Sequence, residues 1–170
     1  MPIFDKIEKE KYSDIWNTPK EITDRLGMFD LDPCASEKRK WDIAKNSYTI
    51  KDDGLLKEWK GRVWLNPPYS KAKLFMKKMA IHNNGIAFIY TRVETKMFFE
   101  FVYPHATAIF FFKGRVKCYD KNYKQNTSPP ASNCLIAYGN ENKEALKKIG
   151  IDGFYFEINN GHTTAIIQNG

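Results

Sequence analysis

No stretch of this chain is apolar for long enough to cross a bilayer, and no charged-then-apolar leader with a cleavage site opens it. A soluble intracellular protein is therefore expected. Cysteine is scarce. Cys34, Cys118 and Cys134 are odd in number and far apart, which argues against a disulfide framework and predicts three reduced thiols. His82, His105 and His162 stand alone, with no ligand spacing to a cysteine or carboxylate, so no metal site is expected. Also missing are a GxGxxG phosphate loop, internal repeats, low-complexity tracts and any linker that would divide the chain.

What is present suits one domain spanning residues 1–170, large enough for a sizeable core, with 42% hydrophobic and 15% aromatic residues. Lys and Arg number 27 against 20 Asp and Glu, a net charge of +7, which favours a polyanionic partner. Many small basic proteins have no such partner, so charge only tilts the balance.

The most informative stretch is Val63-Trp64-Leu65-Asn66-Pro67-Pro68-Tyr69-Ser70. Val63 to Leu65 reads as a short strand. The prolines cannot donate to a ladder, so the strand must stop there and leave Asn66 at its carboxyl end. Ser70 reads as the cap of a helix with Ala72, Phe75, Met76, Met79 and Ala80 on one side. Ligands of open α/β sheets bind at this kind of strand-to-helix edge.

The tetrapeptide Asn66-Pro67-Pro68-Tyr69 suits methyl transfer to a planar amine. Such an amine is a poor nucleophile because its lone pair is delocalised into the ring. The Asn66 side-chain oxygen and the Pro67 carbonyl can each accept one amine hydrogen, favouring a more tetrahedral nitrogen. Holding that nitrogen in line with a methyl sulfonium supplies most of the rest. Tyr69 offers a flat face for an extruded base. A rigid turn with the Asn side chain bonded to nearby backbone accounts for the same residues almost as well.

Elsewhere the pattern alternates helix and strand. Residues 1–16 read as a short helix or an arm. Thr18-Pro19-Lys20-Glu21 reads as a capping box for a helix that Gly27 ends. Met28 to Asp32 reads as a strand running into Asp32-Pro33-Cys34-Ala35-Ser36, a carboxylate and a small-residue turn that suit an amino-acid or ribose group; a plain surface turn fits too. Residues 37–60 are charged, with Trp41, Ile43, Tyr48 and Ile50 as the expected buried members and one or two helical turns around Leu55-Leu56 and Trp59. Asp52-Asp53-Gly54 makes a turn; Asp52 or Asp53 is a candidate ligand contact, with a solvated turn as the default.

Ile86 to Tyr90 reads as a doubly buried parallel strand. Thr91-Arg92-Val93-Glu94-Thr95 then leads into a helix that Pro104 ends, with Arg92 and Glu94 as an ion pair or as ligand contacts. Ala106 to Phe112 and Cys134 to Tyr138 read as strands, and Asn142 to Ile149 as a helix. Residues 154–158 and 163–168 form a hairpin around Asn159-Asn160-Gly161-His162. The loop 117–131 interleaves Lys117, Tyr119, Lys121, Tyr123 and Lys124, basic and aromatic side chains suited to phosphates and bases, and is the candidate nucleic-acid surface.

Taken in order, Trp16-Asn17-Thr18-Pro19, Leu31 to Ser36, Asn66 to Ser70, Thr91 to Thr95 and Gly114-Arg115-Val116-Lys117 resemble the small phage-type DNA N6-adenine methyltransferases of the Dam family. The resemblance implies an α/β, Rossmann-like methyltransferase sheet with helices on both faces, S-adenosylmethionine as cofactor, and double-stranded DNA as partner. It implies that Asn66, Pro67, Pro68 and Tyr69 hold a flipped adenine. Trp16, Thr18, Pro19, Asp32, Pro33, Cys34 and Ala35, with Asp52 and Asp53, would serve the cofactor. Arg92, Arg115 and Lys117 would meet DNA, joined by Tyr119, Lys121 and Lys124 of the loop. A monomer or weak dimer in the cytoplasm, of the host if phage-encoded, is expected.

The chain departs from the pattern where Asp32-Pro33-Cys34-Ala35-Ser36 replaces a glycine-rich motif and Cys118-Tyr119 follows Lys117. It also has no room for a separate target-recognition domain. The same chemistry on RNA or a protein glutamine, and a non-catalytic nucleic-acid-binding module, are the competing readings.

Overall fold

Side chains alternate across the pleat of the central strands, so each strand sends half of its apolar residues to each face of a sheet. Phe29, Trp64, Ile86, Phe88, Phe110, Leu135 and Tyr155 pack one core. Leu31, Val63, Leu65, Ala87, Ile89, Ile109 and Ile136 pack the other. The computed structural model describes residues 14–125 and 129–158, together with the backbone of 165–168.

The strands are β1 (Phe29–Asp32), β2 (Ala44–Ser47), β3 (Val63–Leu65), β4 (Gly85–Tyr90), β5 (Ala108–Phe112), β6 (Asn133–Tyr138), β7 (Gly153–Glu157) and β8 (Ala165–Gln168). They form one mixed sheet in the order β2-β1-β3-β4-β6-β5-β7-β8. β2, β1, β3 and β4 run parallel, and β6 reverses against β4 and β5. Helix α1 (Lys20–Leu26) buries Ile22 and Leu26 in the first core, and α3 (Asn140–Lys147) adds Leu146. Helix α2 (Ala72–His82) and the π-helical turn Phe98–Val102 cover the other face with Phe75, Met76, Met79, Phe98 and Val102. The expected α/β sheet with helices on both faces is therefore present. β7 and β8 pair as an antiparallel hairpin, while its turn, like residues 1–13 of the expected arm, lies outside the described residues.

Several local expectations are corrected. Pro19, not Thr18, precedes α1, and no side chain caps the helix; Thr18 is buried and bonded elsewhere. Ser70 does not cap α2 either. It lies in a 3-10 turn (Tyr69–Lys71) ahead of the helix, and its N–H and hydroxyl donate to the Asp14 carboxylate. Ile50 is exposed rather than buried. Around Leu55-Leu56 the chain makes a single turn, with the Leu56 and Lys57 N–H donating to the Asp53 carbonyl and the Leu55 N–H to the Asp53 carboxylate, while Trp59 lies outside it. β4 is buried on both faces as expected, yet it is parallel only to β3. β2 was not anticipated: its sequence Ala-Lys-Asn-Ser carries no apolar alternation, and only backbone pairing to β1 makes it a strand.

A buried polar knot ties the sheet to both helices of the first face. Arg62 donates to Asn142 Oδ1 at 2.6 Å and to the Leu26 carbonyl at 2.9 Å, with its guanidinium over the Phe29 ring. Asn142 in turn donates to the Tyr138 carbonyl and to Asn84 Oδ1. Truncation of Asn142 would deprive the buried cation of its shortest hydrogen bond. Asn142→Ala is expected to destabilise the fold by about 3 kcal/mol in urea denaturation, whereas a loss under about 1 kcal/mol would mean that the knot contributes little.

Candidate active site

Strand direction decides where the polar residues meet. β1, β3 and β4 are parallel, and β5, antiparallel to β6, runs the same way as β4. Asp32, Asn66, Arg92 and Lys113 therefore all emerge at one rim. β1 is followed in the sheet by β2 on one side, and β3 by β4 on the other. The loops leaving β1 and β3 diverge, and such a topological switch leaves a crevice at the carboxyl ends of the strands.

A cavity of about 640 Å³ lies there, within the range of small-molecule sites. Its walls come from residues 33–38 after β1, Thr49, Ile50, Asp53 and Gly54 after β2, and Asn66, Pro67, Pro68, Ser70, Lys71 and Phe75 after β3. Residues 14–17 and Lys121-Asn122 complete it. A recess of about 30 Å³, room for a water, shares Asn17, Cys34, Ser36 and Asn66 with it and adds Thr18, Asp32, Arg39, Trp41 and Tyr123.

Asn66 is held by both hydrogens of its amide. Nδ2 donates to the Trp16 carbonyl at 2.6 Å and to Thr18 Oγ1 at 3.2 Å. A carbonyl only accepts, so the NH2 group must face Trp16 and the amide cannot be flipped. Neither the Asn66 side-chain oxygen nor the Pro67 carbonyl receives a hydrogen bond from a described residue, and both residues line the cavity. Two acceptors are thus left over at one wall.

Asp32 ends β1 with 6% of its surface exposed and accepts from the Cys34 N–H at 3.0 Å. Burial pushes its carboxyl up to about 7, against the opposing pull of that N–H and of Arg39. Burial and the Asp32 charge also push the Cys34 thiol well up. Trp16, on the cavity wall, keeps a buried indole N–H with no partner among the described residues.

The predicted residues divide. Trp16, Pro33, Cys34, Ala35, Asp53, Asn66, Pro67, Pro68 and Lys121 lie on the cavity, and Thr18 and Asp32 on the recess. Pro19 is buried at the start of α1. Asp52 is exposed and accepts from the Thr49 N–H and hydroxyl, reaching back three residues as in a capping box. Tyr69 is not on either wall: its ring stacks on Tyr90 with centroids 3.4 Å apart and planes 7° apart.

Arg92, Lys117 and Lys124 are exposed, and no ion pair joins Arg92 to Glu94 among the described residues. Arg115 donates to the carbonyls of Pro129 and Pro130, closing the base of its loop. The first part of that loop is tied down by Asn17, which exchanges backbone hydrogen bonds with Tyr119 and donates from its side chain to the Asp120 carbonyl. Tyr119 and Tyr123 meet the edge of Trp41. Sequence reasoning assigned no site role to Asn17, Arg39, Trp41, Thr49, Lys71 or Asn122. All but Lys71 sit in irregular segments, where periodicity carries no signal; the length of the 117–131 loop was the one hint.

A mixed sheet with a ligand-sized cavity at its switch point, edged by an asparagine with a fixed amide and by paired prolines, is the layout of a small-molecule site. The model of the DNA N-6-adenine-methyltransferase (Dam) family matches residues 6–150, and the chain belongs to that family. The DNA N-6-adenine-methyltransferase of Escherichia phage T1 is 41% identical over 83 residues, 43% of this chain and 34% of that protein. The chain thus spans about a third of that relative's length. No solved structure matches.

The buried Asp32 makes stability depend on pH. Its folded value of about 7 exceeds the ordinary 3.8, so the folded state binds more protons between these limits. The fold is then expected to lose on the order of 4 kcal/mol from this group as pH rises from about 4 to above 7. Urea denaturation of Asp32→Asn should show that loss removed. Parallel pH profiles for the two proteins would contradict it.

Proposed function

We propose that the chain transfers a methyl group from S-adenosylmethionine to N6 of an adenine in double-stranded DNA, on a Rossmann-like sheet. The observation that carries this reading is the fixed orientation of Asn66. With its amide hydrogens engaged by Trp16 and Thr18, only its oxygen and the Pro67 carbonyl are left to take the two hydrogens of an exocyclic amine. Family membership supplies the reaction class, and the phage relative named for this reaction supports the substrate.

The residues fit the donor. The cavity of about 640 Å³ has the capacity, the unpartnered Trp16 indole N–H and the buried Asp32 carboxyl offer a donor and an acceptor, and the turn Pro33-Cys34-Ala35 borders both. These residues, with Thr18 and Asp53, would hold it. S-adenosylmethionine bound there supplies an electrophilic methyl on a sulfonium.

The chain's own residues do the remainder. Asn66 and Pro67 accept the amine hydrogens, which localises the lone pair and aims it. Pro67 and Pro68 keep both acceptors rigid, so no reorganisation accompanies the reaction. No strong base is required, because the proton passes to water after the methyl arrives. Tyr69 stacks on the extruded adenine. Arg92, Arg115, Lys117 and Lys124, on loops leaving the same rim, take the phosphates, and the reaction belongs in the cytoplasm where the DNA is.

Asn66→Ala is expected to lower transfer of labelled methyl to DNA by about 10²–10³-fold. Thr18→Val removes one of the two hydrogen bonds that aim the amide and is expected to cost roughly tenfold. Full activity in Asn66→Ala would defeat the mechanism. DNA binding should weaken steeply with salt, as counterion release requires; a flat response would point away from a nucleic acid.

A further inference from the structure

One face of the Tyr69 ring is closed to a base in the free protein. Tyr69 is half-buried against the first core, and the Tyr90 ring covers it at van der Waals distance, 3.4 Å between centroids and 7° between planes. Two flat rings so nearly parallel and so close leave no slot between them. Tyr90 is the last residue of β4, half-buried at the same rim as Asn66, and the chain turns immediately after it. Its hydroxyl is buried without a well-aligned hydrogen-bond partner among the described residues. The Tyr69 hydroxyl accepts a long hydrogen bond of 3.4 Å from Asn133 and lies beside the Tyr90 hydroxyl. A planar six-membered ring thus lies where a planar base would stack, held chiefly by ring contact.

We propose that Tyr90 is an internal stand-in for the target base. It caps Tyr69 in the free protein and must swing away before an extruded adenine can stack, so it sets the affinity for DNA. The inference rests on the reading of Tyr69 given under Proposed function. Tyr90 is a positioning residue: it acts through Tyr69 and takes no part in bond making. The free protein thereby keeps its stacking platform dry, and the base repays the lost ring contact with its own.

The test measures methyl transfer from labelled S-adenosylmethionine to amplified double-stranded DNA that carries no modified bases. Tyr90→Leu removes the competing ring and is expected to lower KM for DNA about twofold to tenfold, the range of one aromatic pair. The effect falls on KM rather than kcat, which a loss of packing would not produce. Tyr90→Phe keeps the ring, and its KM should stay at or above the wild-type value. An unchanged or raised KM in a folded Tyr90→Leu overturns the proposal; a raised value would make Tyr90 the second wall of a base sandwich.

Fluorine NMR of fluorotyrosine-labelled wild-type protein gives a readout that does not depend on the Leu variant folding. The Tyr90 resonance, assigned by its loss in Tyr90→Phe, is expected to move when DNA is added, and a fixed resonance overturns the proposal. Absence of any methyl transfer by the wild type would instead sink the functional reading, and this inference with it.

Discussion

Two hydrogens on one side-chain amide decide which way the rim of this sheet faces. Asn66 has four hydrogen-bonding capacities, and its surroundings consume the donors: a main-chain carbonyl at Trp16 and a hydroxyl at Thr18. What remains is acceptor only. Because the next two residues are prolines, the backbone has little freedom to adjust, and the neighbouring carbonyl stands at a fixed offset from the amide oxygen. An ordinary asparagine at a strand end would rotate freely and offer donor or acceptor as solvent allowed.

That arrangement depends on a segment remote in sequence. Residues 14–18 cross over the carboxyl ends of the strands and are fastened at three points: the Asp14 carboxylate on Ser70, Asn17 on Tyr119 and Asp120, and Trp16 with Thr18 on Asn66. The same few residues therefore shape the cavity, aim the amide and anchor the loop after β5. The loop is held in turn by Trp41, whose edge meets both Tyr119 and Tyr123. Its aromatics pack beside the cavity, and its lysines are exposed.

Much of this was legible in the chain. The proline pair, the apolar runs at β1, β3, β4, β5 and β6 and the Gly27 stop are all local signals, and local signals survive folding. The failures were of two kinds. Thr18 and Ser70 looked like helix caps because capping is the commonest use of such residues, yet long-range acceptors and donors outcompeted it. β2 was invisible because its strand character comes from the neighbour it pairs with, not from its own side chains. The polar knot of Arg62 and Asn142 was equally silent, since nothing in sequence tells a buried arginine from a solvated one. The helices and strands could be read; the tertiary hydrogen bonds that build the site could not.

Cys34 brings a hazard with it. A sulfur on the wall of a chamber proposed for an activated one-carbon group is a rival nucleophile, and thiolates are far more reactive than aromatic amines. Burial and the adjacent Asp32 charge keep that sulfur protonated, and the protonated form attacks poorly. With the proposed donor bound, self-alkylation would thus be suppressed by the same desolvation that raises the Asp32 carboxyl to about 7, and a soft sulfur could sit beside an activated methyl without consuming it.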